Sequence, residues 1–198
     1  AHLQQLTSRY IRPEKDRYIL SVPSTKQYAH ALTKARVDTQ RFANQYGFTS
    51  FVFKGGDTAY GHVLAAVKLV VQCTADWISV FCKVPRGATV LVQYPHFPLK
   101  SVPVARTATR LLQRMKHIRF IALVHDLDSL RAIGGKAAVY SDRRYLPLFD
   151  AVICHNEAMK SALCSMGLPK TRMVTLQIFD YWTDVKLLPR PYDRSVCI

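Results

Sequence analysis

Short apolar runs alternate with longer amphipathic stretches along most of this 198-residue chain. The short runs are rich in Val, Ile, Leu and Phe and are bounded by turn residues, a pattern typical of buried strands. The predicted strands are residues 18–22, 50–53, 89–93, 119–124, 151–154 and 172–177. The predicted helices are residues 28–46, 61–81, 104–115, 142–149 and 156–165. Alternation at this spacing predicts parallel βαβ units, hence an α/β domain with a Rossmann-like parallel sheet flanked by helices.

Three of the apolar runs stop at polar clusters. The run 120–124 is followed by His125 and Asp126, the run 151–154 by residues 155–157, and the run 173–178 by residues 179–181. In a parallel α/β sheet, ligands bind beyond the carboxyl ends of the strands. We therefore expect these clusters to converge on one binding or catalytic site.

His125 and Asp126 are the leading catalytic candidates. Both follow an almost wholly apolar strand, so their side chains should emerge at its carboxyl end. A carboxylate or an imidazole placed there can take a proton from an attacking hydroxyl as a general base. The alternative is structural, because Asp126 or Asp128 could cap a following helix.

Other residues at strand ends are candidates for ligand contact. Lys54, Gly55 and Gly56 follow the second strand, but the loop matches neither GxGxxG nor the P-loop, and two glycines also suit a tight turn. Tyr94 ends the third strand, and His155 ends the fifth.

The residues that follow His155 have a structural interpretation. Asn156 suits a helix N-cap, and Glu157 suits the positive end of the helix dipole. We therefore expect His155 alone of this cluster to line the site.

Several classes of site find no support in the sequence. Metal binding is not predicted, because His125, Asp126, His155 and their neighbours show no HExxH or other ligand spacing. A Ser-His-Asp hydrolase is not predicted either, because the chain has no GxSxG elbow. The five cysteines are odd in number and form no CxxC pair, so we interpret them as reduced core thiols.

The net charge of +15 is concentrated in one segment. Residues 100–119 contain no acidic residue, and Arg106, Arg110 and Arg114 recur every four residues, which predicts one stripe on a helix. The core side of that helix should carry Val104, Leu111, Leu112 and Met115. Such a stripe could dock on anionic lipid or a phosphorylated ligand, or it could be a solvated face. Nucleic acid is disfavoured, since the segment contains no Phe, Tyr or Trp for base stacking.

The longest apolar region, residues 63–81, is interrupted by Lys68, Gln72 and Asp76. We interpret it as a buried amphipathic helix rather than a membrane span. The N-terminus lacks the order of a signal peptide, so a cytoplasmic location is expected, with peripheral attachment to the inner face of the plasma membrane as an option. Self-association into a homo-oligomer stays open.

The α/β pattern stops near Trp182. Residues 183–193 have the composition of an extended linker, and residues 195–198 resemble the start of another strand. We therefore divide the chain into an N-terminal extension at 1–16, a Rossmann-like domain at 17–182, and a linker with a first strand at 183–198. A second domain is expected to follow.

The order of several segments resembles a known family. The segments are residues 31–38 through Gly47 and Phe48, His125–Asp126, residues 149–156 with Gly167–Leu168, and residues 178–181. Together they resemble the N-terminal half of bacterial GT-B sugar transferases, notably galactofuranosyltransferases and the glucosyltransferases of cell-surface glycan and adhesin synthesis. The resemblance covers residues 18–182.

This resemblance implies a two-domain hexosyltransferase with facing Rossmann-like halves, of which the N-terminal half holds a glycan or lipid-linked acceptor. His125 and Asp126 would lie beside that acceptor, with Lys54, Gly55, Gly56, Tyr94 and His155 as acceptor-binding candidates. Phe179, Asp180 and Tyr181 would lie near the hinge. No cofactor is expected in this half, because a UDP-sugar donor would bind the other domain, and the fragment alone should be inactive. The alternatives are a stand-alone module that binds a phosphorylated ligand without catalysis and a basic nucleic-acid-binding protein.

Overall fold

The computed structural model of the chain describes residues 16–21, 31–54, 63–95, 101–127, 129–130 and 135–176. These residues form six strands: β1 (Arg17–Ser21), β2 (Phe48–Val52), β3 (Thr89–Tyr94), β4 (Arg119–Val124), β5 (Ala151–Cys154) and β6 (Met173–Thr175). They also form five α-helices: α1 (Ala31–Gln45), α2 (Val63–Lys83), α3 (Val102–Lys116), α4 (Gly135–Tyr145) and α5 (Glu157–Ser165). The linker at 183–198 and all of the predicted N-terminal extension except Asp16 lie outside the described residues.

The six strands form one parallel sheet in the order β2-β1-β3-β4-β5-β6. The predicted α/β Rossmann-like fold is therefore confirmed. The strand order reverses between β1 and β3, and such a switch point opens a crevice at the carboxyl ends of the two strands. The fold thus has a natural ligand site between the ends of β1 and β3.

The helices divide unequally between the two faces of the sheet. Right-handed crossovers place α1 on one face and α2, α3, α4 and α5 on the other. The larger core contains Trp77 from α2, Leu112 from α3 and Tyr145 from α4. The smaller core, on the other face, contains Ala43 from α1. Most of the apolar burial therefore lies under the four-helix layer.

Most element boundaries fall close to the predicted ones, and α4 is the main exception. It begins at Gly135 rather than near Asp142. The buried face of α4 carries Ser141 and Asp142 beside Ala138, so polar residues conceal its helical period in the sequence. The predicted end of α1 is confirmed, since Gly47 adopts φ +80, a conformation that glycine adopts without strain.

The predicted core face of α3 is partly wrong. The buried residues of this helix are Val102, Ala105, Thr109 and Leu112. Leu111 and Met115 are instead 47% and 54% exposed. The small side chains of Ala105 and Thr109 face the sheet, which lets the helix approach it closely and turns the larger apolar residues outward.

The interpretation of α2 as a buried amphipathic helix is confirmed for one side of the helix only. Its core side carries Leu69, Cys73, Trp77 and Val80, but its other side exposes large apolar residues. By length and composition the stretch Leu64–Lys83 could cross a membrane, and only 28% of an 18-residue apolar window within it is buried. The interrupting polar residues therefore do not by themselves exclude a span, although here α2 packs on the sheet.

The prediction of core thiols holds for two of the four described cysteines. Cys73 and Cys154 are buried, Cys164 is half-buried, and Cys82 is exposed, and all four are free thiols. Cys82 is exposed because it lies on the outward side of α2. Cys197 is outside the described residues.

Candidate functional site

Two histidines meet at the carboxyl edge of the sheet. His125 follows β4 and His155 follows β5, and the centroids of their rings lie 5.8 Å apart with the ring planes inclined by 40°. Both residues are half-buried. The structure thus brings together the ends of the two strands that the sequence singled out.

His125 is held in one neutral form. Its Nε2 lies 2.9 Å from Oε1 of Gln93, the penultimate residue of β3. An amide oxygen can only accept a hydrogen bond, so Nε2 carries the proton and Nδ1 keeps its lone pair. Burial, the charge of Arg36 and the neighbouring His155 together lower the pKa of His125 to about 3. His125 is therefore an uncharged hydrogen-bonding group at neutral pH.

Asp126 lies beside this histidine pair. Its Oδ1 accepts a hydrogen bond of 2.8 Å from the backbone N–H of Leu127, a fully buried residue that anchors the loop. Burial lowers the pKa of His155, and the negative charge of Asp126 opposes that shift. The carboxylate is therefore close enough to influence His155 and is oriented by its own loop.

Arg36 of α1 completes the group on the same face of the sheet, and sequence reasoning missed it. Its Nη2 donates a hydrogen bond to the backbone carbonyl of Pro95, directly after β3. The segment 31–38 contributed to the family resemblance, but nothing in the sequence separates Arg36 from Lys34 or Arg41. Only the packing of α1 against the end of β3 brings this guanidinium near His125.

A buried hydroxyl lies at the switch point itself. Ser21 is the last residue of β1 and is 2% exposed. Its Oγ has no hydrogen-bond partner among the described residues. Buried polar atoms are normally paired, so an unpaired one at this crevice is a candidate contact for a ligand.

Tyr94, in contrast, does not line the site with its side chain. The residue is buried, and its hydroxyl donates a hydrogen bond to Oδ1 of Asp142 on α4. Burial and the adjacent Asp142 carboxylate raise the pKa of Tyr94 well above its usual value. Its assignment to acceptor binding is therefore corrected, because the side chain belongs to the core under the helix layer.

The other residues predicted to contact a ligand lie away from the histidine pair or outside the described residues. Lys54 is exposed and follows β2, the edge strand, so two strands separate β2 from β4 and the histidine pair. Gly55 and Gly56 lie outside the described residues, as do the predicted hinge residues Phe179, Asp180 and Tyr181.

The structural interpretation of Asn156 and Glu157 is confirmed. Asn156 Oδ1 accepts a hydrogen bond of 2.8 Å from the N–H of Met159, as an N-cap of α5 should. Glu157 Oε1 accepts a 2.6 Å bond from the hydroxyl of Thr175 on β6, which lowers the pKa of the carboxyl. These contacts fix the start of α5 and leave His155 to face the site.

No group of three or more His, Cys, Asp or Glu residues suited to a metal ion occurs in the described parts of the chain. The group at the ends of β3, β4 and β5 consists instead of one carboxylate, two imidazoles with lowered pKa values and one guanidinium, and the buried Ser21 hydroxyl lies at the end of β1. Such a set can bind and orient a polyhydroxylated ligand and accept a proton from it.

Comparison with known proteins assigns the chain to a family. No curated protein matches the chain. One protein-family model, described as Glucosyltransferase 3-like, N-terminal domain, matches residues 17–178. That match begins at the first residue of β1, spans the whole sheet and includes every described residue of the candidate site. The chain therefore belongs to the Glucosyltransferase 3-like family and carries its N-terminal domain.

Proposed function

We propose that this domain binds the acceptor in a glycosyltransferase that moves a hexosyl group from a nucleotide sugar to a hydroxyl. The single observation that carries the proposal is the grouping of His125, Asp126 and His155 at the carboxyl edge of the sheet. Membership of a glucosyltransferase-like family makes sugar transfer the chemistry to assign to that group. A cell-surface glycan, a glycoprotein or a lipid-linked sugar is the proposed acceptor.

Asp126 is the proposed general base. The acceptor oxygen attacks the anomeric carbon of the donor while its proton passes to the Asp126 carboxylate. The bond from the anomeric carbon to the nucleotide phosphate breaks, and the diphosphate leaves with the electron pair. This scheme inverts the configuration at the anomeric carbon, since the oxygen enters opposite the leaving group.

The neighbouring groups would position the acceptor. His125, held by Gln93 through its Nε2, would help to shape the acceptor site beside Asp126. Its lowered pKa keeps it uncharged across the neutral range and makes it a poor base. Arg36, which lies close enough to His125 to lower its pKa, supplies positive charge for a phosphate of the donor or of a lipid-linked acceptor.

A donor site is proposed for a further domain that would hold a UDP-sugar. The domain described here would then be inactive alone, in the cytoplasm or on the inner face of the membrane. The galactofuranosyl and glucosyl donors are the first two to compare, because the resemblance covers both kinds of transferase and the family is described as glucosyltransferase-like.

The test is turnover of the full-length protein with a panel of UDP-sugars. Asp126→Asn should lower kcat by about 10²–10⁴, the usual contribution of a general base. The amide keeps an oxygen for the N–H of Leu127, so the loop should keep its conformation. The matched control is Glu157→Gln, which alters an exposed carboxylate at the neighbouring strand end and should leave kcat within about twofold.

Undiminished turnover of Asp126→Asn would remove Asp126 from the chemistry. Absence of transfer from every UDP-sugar, together with tight binding of a phosphorylated ligand, would favour a non-catalytic binding module instead.

A further inference from the structure

The outward side of α2 is mostly apolar, although Lys68 and Thr74 are also exposed on it. Its exposed residues recur at three- and four-residue intervals, so they share one face of the helix. The large ones are Leu64, Val67, Val71 and Ile78. Ala75 and Cys82 are exposed at intermediate positions on the same face. A helix that is apolar on its outer side as well as its core side normally has a second apolar neighbour.

Helix α3 extends this apolar surface. Leu111 and Met115, which the helix turns away from the core, are separated by one helical turn. An open groove of about 480 Å³ runs between the two helices and has apolar walls that include Trp77, Phe81 and Val104. The exposed residues of α2 and α3 therefore form one surface, which we call the α2–α3 face.

The charges on the α2–α3 face have a single sign. Asp76 is the only acidic residue in the two helices, and it is buried. Lys68, Arg110 and Arg114 are exposed. Leu111 and Arg114 are three residues apart and hence neighbours on the helix surface, so the basic stripe borders the apolar ridge.

We propose that the α2–α3 face docks on an anionic phospholipid bilayer. Interfacial helices bind membranes by placing an apolar side at the boundary of the headgroups and acyl chains while basic residues contact lipid phosphates. The α2–α3 face combines both signals, and the strength of such binding increases with the apolar area buried and with attraction to anionic lipid. This proposal does not depend on the sugar-transfer chemistry.

A second copy of the chain fits this surface less well. A two-fold interface brings the same surface patch of each subunit together. Such an interface would take in Arg110 and Arg114 of both copies without adding an acidic partner from either helix, in a chain of net charge +15. Anionic lipid instead supplies opposite charge to the same residues.

Vesicle flotation of the full chain tests the proposal. Vesicles of phosphatidylcholine with phosphatidylglycerol should carry the protein to the top of the gradient, and pure phosphatidylcholine vesicles should carry at least about tenfold less. Ile78→Gln with Leu111→Gln should reduce the bound fraction several-fold. The matched control is Leu130→Gln, because Leu130 is 57% exposed and Ile78 is 59% exposed, and this change should leave binding unaltered.

The charge contribution has its own pair of variants. Arg110→Glu with Arg114→Glu should lower the bound fraction by at least about tenfold. Lys170→Glu with Arg172→Glu makes the same change in charge in an exposed turn before β6 and should have a much smaller effect. Equal losses in the two pairs would show that net charge alone governs binding and would overturn the proposal.

The reactivity of the Cys82 thiol shows whether the α2–α3 face is covered. Without vesicles, maleimide should modify Cys82 faster than the buried Cys73, as peptide mapping by mass spectrometry would show. Anionic vesicles should slow modification of Cys82 and leave Cys164 unchanged. Equal protection of Cys82 and Cys73 without lipid would mean that another part of the chain or a second copy covers the face, and it would sink the membrane proposal.

Discussion

His125 and His155 lie opposite each other because of the register of β4 and β5. Leu123 pairs with Ile153 in this parallel ladder, so the residues two positions further along each strand are also level with one another. The 5.8 Å between the two rings follows from that pairing. Any slip of one residue would turn one imidazole to the other face of the sheet. The geometry of the site therefore depends on the sheet and not on the loops alone.

Acid should weaken the fold through His125. The pKa of His125 is about 3 in the folded chain, against the ordinary value of 6.5 that applies in the unfolded chain. Between these two values, only the unfolded chain takes up the proton. Stability is therefore unaffected by this group above pH 6.5 and falls as the pH decreases below it. The unfolding free energy should fall between pH 7 and pH 5 by about 2 kcal/mol less in His125→Gln than in the wild-type chain.

Urea unfolding at the two pH values measures this difference. His117→Asn is the control, because His117 is exposed at the end of α3 in a left-handed conformation that asparagine tolerates. That variant should keep the pH dependence of the wild type. An unchanged dependence in His125→Gln would show that His125 is already charged in the folded chain at pH 5.

Tyr94→Phe should destabilise the domain without changing acceptor affinity. The change removes the hydroxyl that donates to the buried Asp142 carboxylate, and losing such a bond costs about 1–3 kcal/mol. Tyr140→Phe makes the same substitution at an exposed residue of α4 and should cost less than about 0.5 kcal/mol. A raised KM for acceptor with unchanged stability would instead return Tyr94 to the binding site.

Lys116→Met should loosen the attachment of α2 to α3. Lys116 Nζ donates to the backbone carbonyls of Phe81 and Val84, at the C-terminal end of α2, where carbonyls lack partners within the helix. Losing these charge-assisted bonds should lower the unfolding free energy by about 1–3 kcal/mol. Lys136→Met, at an exposed position of α4, serves as the control and should have little effect in thermal unfolding.

Asn156→Ala should cost about 1 kcal/mol through the loss of the α5 N-cap. Asn156→Asp keeps an acceptor for the N–H of Met159 and should retain most of the stability. Denaturant unfolding of both variants measures the contribution of the cap. If Asn156→Asp lost as much stability as Asn156→Ala, the hydrogen bond to Met159 would not be the stabilising contact.

The sequence predicted strands and helix ends best where the local structure requires one kind of residue. The apolar runs of β3, β4 and β5 predicted their strands because both faces of these strands are buried. Gly47 and Gly167 predicted helix ends because both adopt positive φ. Hydrophobic periodicity did not predict the start of α4. The buried face of this helix includes Asp142, an ionisable residue that accepts a hydrogen bond from Tyr94.

The α/β class, the order of most elements and the polar residues that follow β4 and β5 can all be read from the amino-acid sequence. These features depend on local periodicity and on the alternation of strand and helix. Which side chains share a site, and which face of each helix stays exposed, becomes visible only in the folded chain. The tertiary structure brings Arg36 near His125, buries the side chain of Tyr94 in the core and exposes Leu111. These outcomes depend on packing between segments that are distant in the chain.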